Sequence, residues 1–202
     1  MIKKIIRKLV YKIAIRDKKY MGLYRKICKP RSDEYAEYLK KINYLYSIGE
    51  GCRINPYAGF TDPKYVKIGN NTCLSACTII GHEGAVAVFA TATGKVLDKV
   101  GKVVIGDNCF VGYGATIMPN VVIGNNSIIA SGSVVAKDVP DGVIVGGVPA
   151  KVIGLTKDYI IRLEEQTKKY PWYDLIKTRT KVYDDEMEKE LLKMRLKYFF
   201  EE

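Results

Sequence analysis

From residue 48 to residue 135 the chain returns to an aliphatic side chain every six residues, with two interruptions. Ile48 and Ile54 lead in, Ile68, Leu74 and Ile80 follow, and Ile105, Val111, Ile117, Ile123, Ile129 and Val135 run on without a break. The residue after each is mostly small: Gly49, Gly69, Ser75, Gly81, Gly106, Gly112, Gly124, Ala130 and Ala136, with Asn55 and Met118 as exceptions. Four residues after each aliphatic comes another compact side chain, among them Cys52, Ala58, Thr72, Thr78, Cys109, Ala115, Val121, Ser127 and Ser133. A period of six fits neither a helix at 3.6 residues per turn nor the simple alternation of an ordinary strand. It marks a solenoid, in which each short repeat buries its face against its neighbours.

Three hexads make a triangular coil of eighteen residues. The dipeptides Ile48-Gly49, Ile68-Gly69, Ile105-Gly106 and Ile123-Gly124 each open one, at spacings of 20, 37 and 18. The first coil therefore carries a two-residue bulge near positions 60–65, and the second a nineteen-residue excursion, placed at 83–104. Asn70-Asn71, Asp107-Asn108 and Asn125-Asn126 follow the glycines, and Asn and Asp tolerate the left-handed conformation of tight corners. This divides the chain into an extension at 1–45, the repeat at 46–153 and a tail at 154–202.

Both flanks read as helical. In residues 2–13, Ile2, Ile5, Ile6, Leu9, Val10 and Ile13 form one stripe, with Lys3, Lys4, Arg7, Lys8 and Lys12 largely off it. In the tail, Thr156 is a cap for a helix over 156–169, and Pro171 breaks it. A second helix over about 180–200 aligns Tyr183, Met187, Leu191, Met194 and Tyr198. Charge alters this picture at one place only. Residues 1–31 hold twelve Lys/Arg and one acid, Asp17, while the rest balances 21 bases against 21 acids, so the whole net charge of +11 is local. Two partners fit that stripe: the rest of the protein or another subunit, and an anionic membrane surface. No apolar run reaches the ~20 residues of a spanning helix. The cation-interrupted start lacks a secretory cleavage site. The five unpaired-looking cysteines read as reduced thiols. A cytoplasmic protein is expected, peripheral at the inner face of the membrane if the second of these partners holds. With one histidine and scattered thiols no metal site is expected, and no aromatic–basic module suggests nucleic acid.

The segment IIGHEG, then VVIGDNCFVGYGATIMPNVVIGNNSIIASGSVVAKDVPDGVIVGGVPAKVIG with its Gly147-Val148-Pro149-Ala150-Lys151 ending, resembles the hexapeptide-repeat acyltransferases, and within them the polysaccharide and serine-type O-acetyltransferases. The resemblance implies a mainly β fold: a left-handed parallel β-helix of about four to five triangular coils with α-helical extensions at both ends. It also implies acetyl-CoA as co-substrate, a sugar or saccharide-precursor hydroxyl as acceptor, and a homotrimer with active sites in grooves between subunits. Two other readings stay open: transfer from an acyl carrier protein, and a non-catalytic scaffold.

His82, the only histidine, matches the family's general base. An imidazole near its ordinary pKa of about 6.5 suits proton removal from an attacking hydroxyl, a gain of roughly 10²–10⁴ in rate. Glu83 beside it, Asp62 in the first-coil bulge, or a backbone carbonyl could orient the ring. Tyr113 and Ser131, eighteen apart, match the positions whose backbone meets the pantetheine arm, and the Tyr113 amide the group that faces the thioester oxygen. Ala136, Lys137 and Lys151 match positions near the nucleotide end of the coenzyme. Ala136 stands where the family often has threonine, which removes a hydroxyl. No cysteine is needed as a nucleophile, and Cys77 reads as packing.

Overall fold

A computed structural model describes residues 2–180 and 184–201, and the chain divides into two compact units, Met1–Thr156 and Lys157–Glu202. The first begins with three helices, α1 (Ile2–Arg16), α2 (Met21–Cys28) and α3 (Ser32–Lys41). Four three-stranded coils follow. They are β1 (Ser47–Ile48), β2 (Arg53–Ile54) and β3 (Gly59–Phe60); β4 (Val66–Ile68), β5 (Cys73–Leu74) and β6 (Thr78–Ile79); and, after α4 (Ala85–Thr93), β7 (Val103–Ile105), β8 (Phe110–Val111) and β9 (Thr116–Ile117); then β10 (Val122–Ile123), β11 (Ile128–Ile129) and β12 (Val134–Val135). Val139 starts a fifth turn by bridging Ile123, and β13 (Val143–Gly146) continues it. The antiparallel β14 (Lys151–Leu155) then closes that edge.

Equivalent strands of successive coils pair in parallel and make three sheets, ordered β1-β4-β7-β10, β14-β13-β11-β8-β5-β2 and β12-β9-β6-β3. Their inward residues form one continuous core: Ile54, Val111, Ile117 and Ile129 are wholly buried, and Ile68, Leu74, Ile105, Ile123 and Val135 nearly so. At about 1.5–3 kcal/mol for each such side chain removed from water, this column is the main source of stability. The compact positions tie the coils together. Thr72 Oγ1 donates to the Gly106 carbonyl at 2.8 Å, and Ser127 Oγ to that of Pro140 at 2.8 Å. The corners turn through left-handed residues, Asn71, Asn108 and Asn126 at φ of 49°, 55° and 56°. Gly69 lets the coils stack: a Cβ there would come 2.7 Å from the Gly106 backbone carbon.

The repeat slips in the second coil. In the second coil the buried residues are Cys77 and Ile79, while Thr78 is exposed and Ile80 only half-buried. The hexad therefore opens at Ile79 and not at Ile80. The corner between β5 and β6 is one residue shorter than its equivalent between β8 and β9, closed by a bond from the Cys77 amide to the Ser75 carbonyl at 2.8 Å. His82 thus stands three residues after an inward aliphatic, level with Asn120 in the next coil, where the chain turns from one sheet to the next.

The N-terminal helices cover the open end of the first coil. Tyr24, Tyr35 and Tyr38 are buried among them, the Tyr24 and Tyr38 rings 4.4 Å apart, and Tyr38 Oη donates to the Ala14 carbonyl at 3.1 Å. Helix α1 packs through only part of the predicted stripe, with Ile13 half-buried. Val10 and Ala14 are buried, but Ile5, Ile6 and Leu9 are exposed. The side chain of Ile2 lies outside the described residues. In the second unit, α5 (Thr156–Lys168, entering from the first), α6 (Tyr173–Ile176) and α7 (Asp185–Phe200) are helical. Asp184 caps α7, and Trp172 and Leu191 are buried. Of the expected stripe Tyr183 lies outside the described residues, Met187 and Met194 are half-buried, and Tyr198 packs edge-on against Trp172 at 5.3 Å.

Candidate active site

The first coil takes up its two surplus residues in a 3₁₀ turn over Pro63–Tyr65, and Asp62 stands immediately before it. Strands β3 and β6 are in register, Phe60 against Ile79, so Asp62 lies one coil below Gly81. Here the absence of a side chain matters. A Cβ on Gly81 would come 2.6 Å from Asp62 Cβ and 2.8 Å from its Oδ2, so only glycine leaves room for the carboxylate. That space lets Asp62 Oδ2 reach Nδ1 of His82 at 2.6 Å. Thr61 Oγ1 donates to the same oxygen at 2.7 Å and accepts the Gly81 amide at 3.0 Å. The carboxylate is held from two sides.

This geometry fixes the protonation pattern of the pair. Hydrogen bonding from His82, and next from Thr61, holds the Asp62 carboxyl below the ordinary carboxylate value. An ionised Asp62 can only accept, so Nδ1 carries the shared proton. In the neutral ring, Nε2 is then the lone-pair nitrogen. Nε2 has no hydrogen-bond partner among the described residues. The ring is about half exposed, its side chain at 48% and that of Asp62 at 25%.

The excursion leaves the coil at His82 and returns beside it. His82 bridges Val100 in antiparallel fashion, and the Glu83 and Gly101 amides bond the Lys99 and Gly81 carbonyls at 3.0 and 2.7 Å. A cleft of about 440 Å³ opens in this fold, lined by Asp62, Tyr65, His82, Val86, Leu97 and Lys99 among others. Glu83 also lines it but does not hold the ring. Its carboxylate pairs with Lys99 across the neck of the excursion. Asp62, not Glu83, is the acid in contact with the imidazole, because stacking of coils brings position 62 under position 81 while position 83 already points along the excursion.

The other predicted residues lie elsewhere on the prism. Tyr113 and Ser131 occupy the corner between β8 and β9 and its equivalent one coil on, both exposed. The Gly132 amide bonds the Tyr113 carbonyl at 2.8 Å, so the two turns stack directly. The amides of Tyr113 and Ser131 make no hydrogen bond among the described residues, which leaves a column of free N–H groups. Ala136 and Lys137 are exposed on the His82 corner two coils further on, after β12. Lys151 is exposed at the start of β14, paired in register with Gly146. One chain therefore does not bring Tyr113 and Ser131 together with His82; a full sheet separates the two corners.

Three features of the site escaped the sequence. Thr61 and Gly81 gave no motif, although Gly81 in the small-residue slot and the bulge beneath it were visible. The excursion also holds helix α4, where Gly84 and Gly94 bracket a nine-residue run of Ala, Val, Thr and Phe, and Gly94 ends it in the left-handed conformation at φ 68°. Among the described residues no group of three or more His, Cys, Asp or Glu could hold a metal.

A model of the family described as bacterial transferase hexapeptide (six repeats) matches residues 102–137. The Bacillus subtilis (strain 168) protein YvoF, which its name assigns provisionally as an acetyltransferase, is 36% identical over 144 residues, covering 67% of this chain and 76% of YvoF. The chain belongs to the hexapeptide-repeat acyltransferases. The galactoside O-acetyltransferase of Lactococcus lactis subsp. lactis (strain IL1403) is 35% identical over 158 residues, covering 68% of this chain and 75% of that enzyme. A solved structure, the maltose O-acetyltransferase from Clostridium difficile 630, superposes with a TM-score of 0.51 at 22% identity over 71% of this chain and 88% of that one. The triangular coil is accordingly the family's left-handed parallel β-helix, and this hexapeptide-repeat protein is an acyltransferase.

Proposed function

We propose that this hexapeptide-repeat acyltransferase moves an acetyl group from acetyl-CoA to a saccharide hydroxyl, with His82 as general base. The observation that carries the reading is the ring itself: Nδ1 is engaged by Asp62 at 2.6 Å, and Nε2 is unpartnered beside the cleft of about 440 Å³. Nε2 takes the hydroxyl proton as the oxygen attacks the thioester carbon. The tetrahedral intermediate collapses, the C–S bond breaks, and the departing thiolate recovers that proton from the imidazolium, giving an ester and free coenzyme A. No acyl-enzyme forms, in keeping with a Cys77 thiol that burial pushes up to about 12. Asp62 is a positioning residue that sets the tautomer.

The saccharide acceptor is supported by relatives whose names carry galactoside and maltose as substrates. The free amides of Tyr113 and Ser131 suit the pantetheine arm and the oxyanion, and Lys137 and Lys151 suit its phosphates. Because these corners lie a sheet apart in one chain, the reading requires a second copy to present its Tyr113 corner to the His82 of the first, as a homotrimer would. The test is coenzyme A release, followed with a thiol reagent, against a panel of mono- and oligosaccharides. His82→Ala should lower kcat by roughly 10²–10⁴, far more than any fraction of unfolded protein in the parallel melt accounts for. Undiminished turnover in that variant would remove the assignment.

A further inference from the structure

Helix α1 carries two apolar faces, and the fold uses one. Val10 and Ala14 are buried against the tyrosine cluster, whereas Ile5, Ile6 and Leu9 are 60%, 46% and 57% exposed. At 100° per residue these three fall in one arc of about 100°. Lys8 and Lys12 flank that arc on one side, Arg16 falls within it near the helix end, and Lys3 lies beyond Val10 on the other side, all exposed. Lys3, Lys8 and Lys12 form no ion pair among the described residues. Helix α2 adds Leu23 and Ile27, one turn apart and 42% and 40% exposed, with Lys26 between them.

We infer that α1 is an interfacial helix that docks this protein on an anionic lipid surface, with Ile5, Ile6 and Leu9 in the acyl boundary and the flanking lysines among the headgroups. Charge selects this occupant. Residues 1–31 hold all of the net +11, so two copies meeting through this face would bring like charges together. A polyanion such as nucleic acid would satisfy the lysines but leave Ile5, Ile6 and Leu9 in water. A bilayer with anionic headgroups accepts both at once. The inference does not depend on which hydroxyl the enzyme acetylates.

The full chain is the material to test, because deleting 1–31 would strip Ala14 and Tyr24 from the core. Its co-sedimentation with vesicles of phosphatidylcholine alone is compared with vesicles containing about 30% phosphatidylglycerol, at low and high salt. Binding is expected only to the anionic vesicles and should weaken with salt. Ile5→Ser/Ile6→Ser/Leu9→Ser and Lys3→Gln/Lys8→Gln/Lys12→Gln should each weaken it at least about tenfold with unchanged thermal midpoints, since all six side chains lie off the core. Binding to neither vesicle, or equally to both, would overturn the inference. So would a serine variant that binds like the parent, which would mean simple polyanion attraction, or one that changes oligomeric mass and not vesicle binding, which would mean a second copy covers the face.

Discussion

Replacing Gly81 by alanine tests the candidate site at its most constrained point. The new methyl would lie 2.6 Å from Asp62 Cβ and 2.8 Å from Oδ2, where ordinary carbon contacts need about 3.5–4.0 Å. Asp62 must then retreat by about 1 Å. The bond to His82 Nδ1, now 2.6 Å, lengthens past hydrogen-bonding range, and the ring loses the contact that fixes its tautomer. Loss of the contact that orients the ring should lower kcat/KM by about ten- to a hundredfold. The loss should fall on kcat and leave the donor KM close to the parent value, because no donor contact is proposed at Gly81. The assay is steady-state coenzyme A release, with thermal unfolding run in parallel. Thr61→Val should give a smaller loss in the same direction, since it removes the second donor to Asp62 Oδ2 at 2.7 Å but not the first. Were Gly81→Ala to keep kcat within about twofold of the parent, or to lose activity only in proportion to unfolded protein, the pairing of Asp62 with His82 would not govern turnover.

Two further outcomes follow from titration and burial. The Asp62 carboxyl is lowered in the folded state, chiefly by His82, so its contribution to stability is present above the ordinary carboxylate value and is lost as pH falls through the lowered one. The thermal midpoint of the parent should therefore exceed that of Asp62→Asn most clearly above about pH 4.5, and the gap should close as pH falls below about 4; a constant gap would contradict the pairing. Among the thiols, Cys77 is pushed up to about 12 by burial, Cys28, Cys52 and Cys109 are buried and likewise raised, and Cys73 alone is half-buried. A thiol reagent at neutral pH should modify Cys73 first, Cys73→Ser should keep full turnover, and rapid native modification of Cys77 with loss of activity would argue for a covalent intermediate.

The sequence by itself determined the prism. A six-residue period is written into each side of each coil, and every coil buries the same positions against the one before, so Ile105, Val111, Ile117 and Ile123 announce their places with no knowledge of the rest. The two-residue bulge and the excursion were legible for the same reason, as departures from a fixed count. Where a position is defined by a partner in another coil, counting fails. The corner before Ile79 is one residue short, and the phase there could be set only by the β3 and β9 strands that pair with β6. Twenty residues separate Asp62 from His82, and Glu83, adjacent in the chain, looked equally suited to orient the ring. Stacking resolved that choice, since it puts position 62 beneath a residue with no side chain. Helix α1 shows the same limit, because an amphipathic pattern records that a face is apolar and not which face the core will take. Val10 and Ala14 went inward, and Ile5, Ile6 and Leu9 were left to water because the tyrosines of α2 and α3 offer a surface for only one side of the helix. Local periodicity is a property of the chain, whereas juxtaposition across the fold belongs to the packed whole.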